Sequence, residues 1–193
     1  MNMEELVLKN RSCRRFYEDY AIGTEVLQGL IDLARLSASG ANLQPLKYML
    51  CNQKEKNTLI FPNLGWAGYL QDWPGPVPGE RPSAYIIILG DQTITKNFDC
   101  DHGIASQSIL LGATSLGLAG CIIASVKRDQ LRKEFNIPEH LEILHVIALG
   151  KPKEKIVIDP IGPDGDIKYW RDKDKVHHVP KRALDEIIIQ FEK

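Results

Sequence analysis

The mid-chain run Ala84-Tyr85-Ile86-Ile87-Ile88-Leu89 restricts the fold more than any other stretch of the sequence. Successive side chains of a strand point to opposite faces of a sheet, so a strand that is apolar at every position is hydrophobic on both sides. It needs cover above and below, which is the position of a central strand. Shorter strand-like segments are Tyr48–Cys51, Cys121–Ala124 and His145–Leu149, the last running into Gly150-Lys151-Pro152. Helical patterns separate them, and this interleaving predicts an α/β or α+β domain with helices packed on a sheet. At 193 residues there is room for one compact domain, spanning 1–193, and not for two ordinary ones.

The helical spacing is clear in several places. Met3, Leu6 and Val7 place a helix over Met3–Lys9. Thr24 is positioned to cap a second helix whose apolar stripe runs from Val26 to Leu36, with Glu25 in its first turn. Asp101–Leu118 predicts the longest helix, and Gly103, Ala105, Ser106, Gly112 and Ala113 make it rich in small residues. Such a surface admits a close neighbour, either a core helix or a second subunit. Arg128–Phe135 predicts a short helix stopped by Asn136 and Pro138, and Leu184–Phe191 a terminal one. Ser37–Pro45 reads as a loop, and Asp159–Asp174 as a turn-rich polar excursion. The stretch at about 57–82 is dense in proline and glycine but also holds Trp66, Tyr69, Leu70 and Trp73. A long segment of that kind inside one domain reads as a functional loop or lid anchored by its aromatics.

Bulk properties exclude several classes. A hydrophobic content of 44% is incompatible with a disordered chain. The formal charge of −1 gives no net positive field for nucleic acid, so any bound anion must be held by a local set of donors. Cys13, Cys51, Cys100 and Cys121 are scattered without a CxxC pair, which favours reduced thiols over a metal knuckle or a disulfide framework. Met1–Lys9 has no signal-like apolar core, and no apolar run is long enough to span a bilayer. The expectation is a cytoplasmic protein with neither membrane nor nucleic-acid partners.

Two segments have the chemistry of a binding site. In Arg11-Ser12-Cys13-Arg14-Arg15, the guanidinium groups of Arg11 and Arg14 flank a hydroxyl and can converge on a phosphate. On spacing alone the cluster reads more readily as a solvated basic patch after a helix than as a site. Ser37-Ala38-Ser39-Gly40-Ala41-Asn42-Leu43-Gln44-Pro45 concentrates amides and hydroxyls suited to a planar heteroaromatic ring, and is also ordinary loop composition. Gly117-Leu118-Ala119-Gly120 follows a helix and precedes a strand, the reverse of a dinucleotide fingerprint. The adjacent His177 and His178 have no carboxylate or cysteine at a ligand spacing, so no metal site is predicted. Lys181 and Arg182 could add cations to a phosphate.

In this order the segments resemble the nitroreductase family of FMN-dependent flavoproteins. The resemblance rests on Arg11-Ser12-x-Arg14-x-Phe16, Ser39-x-x-Asn42-x-Gln44-Pro45, Asp101-x-Gly103, Gly117-Leu118 to Ile122-Ile123, Leu149-Gly150-Lys151-Pro152, and Pro180-Lys181-Arg182-x-Leu184. It implies an α+β nitroreductase-like fold, with a central mainly antiparallel sheet flanked by helices, in an intertwined homodimer with FMN at the subunit interface. It further implies that Arg11, Ser12 and Arg14 hold the phosphate and ribityl chain, with Lys181 and Arg182 closing on the phosphate. Ser39, Asn42 and Gln44, from the partner subunit, would contact the ring, and backbone groups of Ile122, Ala124 and Ser125 would lie along it. The reaction implied is ping-pong reduction of a nitroaromatic, quinone or other small acceptor by NADH or NADPH, with the flavin and no side chain carrying the chemistry. The same fold also serves ene reduction, dehalogenation or flavin binding without turnover. Ala38 and Ala124 depart from the family pattern, which usually has proline and, in larger members, glutamate there.

Overall fold

In a computed structural model describing residues 1–190, Ala84–Asp91 forms strand β3, and the alternation of its buried side chains divides the core in two. Ala84, Ile86 and Ile88 join Leu27, Leu30, Ile109 and Ala113 on one face. Tyr85, Ile87 and Leu89 join Ile60, Leu64, Leu131 and Ile137 on the other. Both faces are therefore covered, as an all-apolar strand requires.

Strand β2 (Leu46–Cys51) pairs antiparallel with β3 from Leu46↔Gly90 to Cys51↔Tyr85. On its other side β3 pairs with the long β5 (Leu141–Pro152), also antiparallel, with a register irregularity between Ile88 and Leu89. The far edge of β5 takes β4 (Ala119–Ile123) and, at its end, the short β1 (Phe16–Tyr17). Helices α2 (Thr24–Arg35) and α4 (Asp101–Ser115) supply the first core, and α3 (Lys54–Ile60) and α5 (Arg128–Phe135) the second. This is the expected α+β architecture, an antiparallel sheet flanked by helices. Helix α1 (Met3–Lys9) precedes it. A separate small sheet follows it, in which β8 (His177–Lys181) runs parallel to β6 (Ile156–Pro160) and antiparallel to β7 (Trp170–Arg171). No helix among the described residues is long and apolar enough to cross a membrane.

Several local expectations change. Thr24 is the first residue of α2, not its cap: Gly23 takes that place without a side-chain bond. The Thr24 hydroxyl instead accepts from the Asn52 amide at 3.2 Å, so a tertiary contact takes the group that a cap would have used. The Pro/Gly-rich segment begins inside α3, and Pro62 sits in the first turn of a short 3₁₀ helix, Phe61–Asn63, where a missing N–H does no harm. The polar excursion from Asp159 is bounded by strands β6 and β7. The terminal helix is a single turn, α6 (Leu184–Ile187), and Phe191 lies outside the described residues.

The small residues of α4 have more than one use. A Cβ on Gly112 would meet Leu33 Cδ1 at 2.4 Å and Leu30 Cδ2 at 3.0 Å, so this glycine serves close packing of α2 within the same chain. At Gly103 nothing lies within 4 Å. The helix ends at Gly117, whose φ of +71° lets Leu118 N–H reach Ala113 O at 2.9 Å and Gly117 N–H reach Thr114 O at 3.0 Å.

Candidate functional site

After α1 the chain crosses beside β4. Ser12 forms a parallel bridge with Gly120, and Cys13 N–H donates to Gly120 O at 3.0 Å. Burial of Cys13 and Phe16 pins the segment to the sheet. Burial also pushes the Cys13 thiol up to about 12, with Glu154 adding to the shift, so it stays protonated and is no nucleophile at neutral pH.

The three arginines of the cluster separate by role. Arg15 is bound bidentately to Glu80, at 2.7 Å through both Nε and NH2, and Lys153 approaches the same carboxylate at 3.2 Å. Arg15 thereby holds the Glu80 carboxyl down at about 2. That pair ties the chain to the end of the Pro/Gly-rich loop. Arg11, Ser12, Arg14, Ile122 and Lys181 instead line one cleft of about 280 Å³ beside β4. Arg11 is steadied by the last carbonyls around α1, donating to Asn10 O at 2.6 Å and Val7 O at 2.7 Å. Burial lowers its ordinary value, yet a guanidinium remains cationic.

Arg14 is held on several sides. Its backbone N–H donates to Glu154 at 2.9 Å, and its NH1 approaches Ser12 O at 3.3 Å and His177 Nε2 at 3.4 Å. The guanidinium lies 4.9 Å from the centre of the Tyr169 ring. Burial, and then the charge of Arg14, push His177 down to about 4, so its neutral ring accepts from Arg14. His177 Nδ1 is buried without a partner in the same cleft. Cations with spare donors, a hydroxyl and a buried orphan atom on one cleft suit an anionic, polar ligand.

Ser39 and Gln44 line a different hollow, of about 160 Å³, with Asp101 and Tyr48. Ser39 donates to Asp101 at 2.6 Å and accepts from Gln44 N–H at 2.9 Å. Asn42 is exposed on the intervening 3₁₀ turn, and Ala41, Asn42 and Gln44 all have positive φ, at 47°, 55° and 52°. Positions outside glycine seldom adopt that conformation, and such strain concentrates at functional loops. Ala124 and Ser125 are exposed just beyond β4, where Ser125 O accepts from Gly65 N–H at 2.8 Å. Arg182 is not in the cleft wall; its guanidinium faces Glu186 at 3.5 Å.

Tyr169, His177 and Gln107 also line the Arg14 cleft and were not expected there. They lie in polar stretches or on a helix face where sequence patterns carry no binding signal. Tyr169 further joins the cleft to the Pro/Gly-rich loop: its ring packs 4.9 Å from that of Tyr69, whose N–H approaches the Tyr169 hydroxyl at 3.4 Å. A second link runs from Trp73 to Arg171, 4.1 Å over the indole, and from Arg171 Nε to Glu154 at 3.0 Å.

Residues 7–73 and 63–151 match the family model described as the Nitroreductase family. The chain belongs to the nitroreductase family. A Methanothermobacter thermautotrophicus protein, provisionally named NADH dehydrogenase/NAD(P)H nitroreductase, is 30% identical over 162 residues, covering 80% of this chain and 79% of that one. A Vibrio harveyi NADPH-flavin oxidoreductase is 24% identical over 82% of this chain and 69% of its own. Among solved structures, a nitroreductase family protein of Clostridium difficile 630 superposes with a TM-score of 0.67 at 23% identity, covering 98% of both chains. An FMN-dependent nitroreductase of Clostridium difficile R20291 gives 0.66 at 20% identity, covering 99% of both. This nitroreductase-family chain is an oxidoreductase, and its small C-terminal sheet lies beyond the residues matched by the family model.

Proposed function

We propose that this protein is an FMN-dependent oxidoreductase that draws on NADH or NADPH to reduce small acceptors such as nitroaromatics and quinones. The carrying observation is the meeting of Arg11, Ser12, Arg14 and Lys181 on one cleft beside β4. The residues fit the group. Arg11 and Arg14 are cationic and pre-positioned by their own chain's carbonyls, and the buried, unpaired His177 Nδ1 supplies a further polar atom. Arg11, Ser12, Arg14 and Lys181 would hold the phosphate, and Arg182, paired with Glu186 outside the cleft wall, would have to release that carboxylate to join them. Backbone groups of Ile122, Ala124 and Ser125 would lie along the ring.

When bound, the flavin supplies the two-electron chemistry, in ping-pong order between nicotinamide and acceptor. The protein's part is to orient, to exclude water and to keep a positive field around the cofactor. Ser39, Asn42 and Gln44 of a second copy complete the site in a homodimer. Two observations support that assembly: the strained Ser39–Gln44 loop sits in a hollow separate from the Arg14 cleft, and large apolar side chains are exposed on α2, on α4, on α6 and just past it. Leu33, Ile104, Ile187 and Ile189 are among them, exposed by 43%, 36%, 61% and 79%. The free cysteines suit a reducing, cytoplasmic setting.

The test is an absorbance scan with a thermal melt. Purified protein should be yellow and should gain thermal stability with FMN. It should then oxidise NADH or NADPH only when an acceptor is present. A colourless protein that FMN does not stabilise overturns the reading.

A further inference from the structure

A second cleft of about 280 Å³ lies between the turn at Glu18–Ala21, helix α3 and the start of β3, and shares no lining residue with the Arg14 cleft. Its walls gather unpaired polar atoms: Asn57 Oδ1, Arg81 Nε and Ser83 Oγ are all buried without a hydrogen-bond partner. Among the described residues only Trp66 Nε1, His102 Nδ1 and His177 Nδ1 share that condition, so half of these atoms belong to one cleft. Buried polar groups are nearly always paired, and a cluster of exceptions points to something that the protein alone does not supply. Ser83 is only 8% exposed.

The orientation of these groups is set by their neighbours. Asn57 Nδ2 donates to Ser83 O at 2.8 Å, which leaves the Asn57 oxygen as an unused acceptor. The Arg81 guanidinium lies 4.2 Å over the Phe61 ring, and its backbone N–H is taken by Glu18 at 3.3 Å. The residues lining the cleft thus hold a guanidinium, a hydroxyl and an amide oxygen with unused hydrogen-bonding capacity. A carboxylate matches the guanidinium and the hydroxyl. The amide oxygen calls for an N–H or O–H close by. Glu18 and Asp19 on the same wall offset Arg81 and Lys54, so an anion that brings no hydrogen-bond donor of its own is disfavoured.

We infer that this cleft is a second ligand site, for a small carboxylic acid carrying a hydrogen-bond donor on the adjacent carbon: an α-amino or α-hydroxy acid. The inference is independent of the flavin reading, because it uses none of the same residues.

Calorimetric titration of the full-length protein, as purified, with L-alanine, L-lactate and acetate tests it. Alanine or lactate should bind with a Kd of roughly 1 mM or tighter, and acetate at least about tenfold more weakly. Which of the two binds better identifies the donor as ammonium or hydroxyl. Arg81→Gln and Ser83→Ala should each weaken binding by about tenfold or more. Ser83→Ala should leave the melting temperature of the ligand-free protein unchanged or higher, since it removes a buried orphan hydroxyl. Three results overturn the proposal: no heat from any probe up to about 10 mM, acetate binding as well as the others, or affinities untouched by both substitutions.

Discussion

The Ser39 hydroxyl donates to the buried carboxylate of Asp101 at 2.6 Å, and the other Asp101 oxygen accepts from Gly40 N–H at 2.8 Å. The first residue of α4 thereby holds a loop with positive φ at Ala41, Asn42 and Gln44. Asp101→Ala leaves both donors without their partner and should lower the unfolding free energy by about 1–3 kcal/mol. Urea melts of Asp101→Ala, Ser39→Ala and the double variant should reveal a coupling of at least about 0.5 kcal/mol, and additive effects would dissolve the link.

Arg14 and Arg15 are neighbours with opposite assignments, and they should fail differently. Arg14→Ala removes a charged donor from the cleft and should weaken FMN binding by roughly ten- to a hundredfold with little change in the melt. Arg15→Ala leaves Glu80 without its bidentate partner. It should lower stability by about 2 kcal/mol while FMN affinity holds. Fluorescence titration with FMN beside chemical denaturation separates the two, and equal FMN loss in both variants would return Arg14 to the surface.

His177 sets an acid limit. Burial and then Arg14 hold it at about 4, below the ordinary 6.5 of the unfolded chain. Above about 6.5 both states are neutral, and its contribution to stability is complete. As pH falls from there towards 4 the unfolded chain takes up a proton that the folded one refuses, and stability declines. His145, also held near 4 by burial, and then by His102 and Arg128, declines over the same window. His177→Gln should flatten the wild-type decline between these limits without altering its His145 part, measured as the difference between stability profiles across pH.

Gly120 lies on β4 opposite Leu149 of β5. A Cβ there would meet Ala148 O at 2.4 Å, a backbone atom that cannot swing aside. Gly120→Ala should therefore destabilise by about 1–3 kcal/mol through overpacking. It should also loosen FMN, because Ser12 bridges to this residue. A thermal melt with and without FMN reads both effects, and a stable variant with normal FMN affinity would sink the prediction.

The layer structure is legible in the sequence because Ala84–Leu89 is apolar at every position, and only a doubly covered strand tolerates that. Arg11, Ser12 and Arg14 are legible as a cluster but not as a site, since spacing alone cannot distinguish a cleft from a wet surface. What gathers them with other polar groups on one cleft is long-range: β8 lies parallel to β6, and so brings His177 and Lys181 to the cleft that Arg14 lines. Neither strand has an apolar period that forecasts the pairing. Thr24 fails as a cap for the same reason, because its hydroxyl is claimed by Asn52, distant in sequence.

The packed, tilted pair Tyr69 and Tyr169 makes the Pro/Gly-rich loop a poor candidate for exchange between relatives. Anyone grafting a foreign loop here to change the acceptor would also withdraw the ring that backs Tyr169, and Tyr169 is the surface on which Arg14 rests. Trp73 and Arg171 add a second such dependence. A transplant intended to alter selectivity would thus disturb the Arg14 cleft as well, unless Tyr69 and Trp73 are carried over with it.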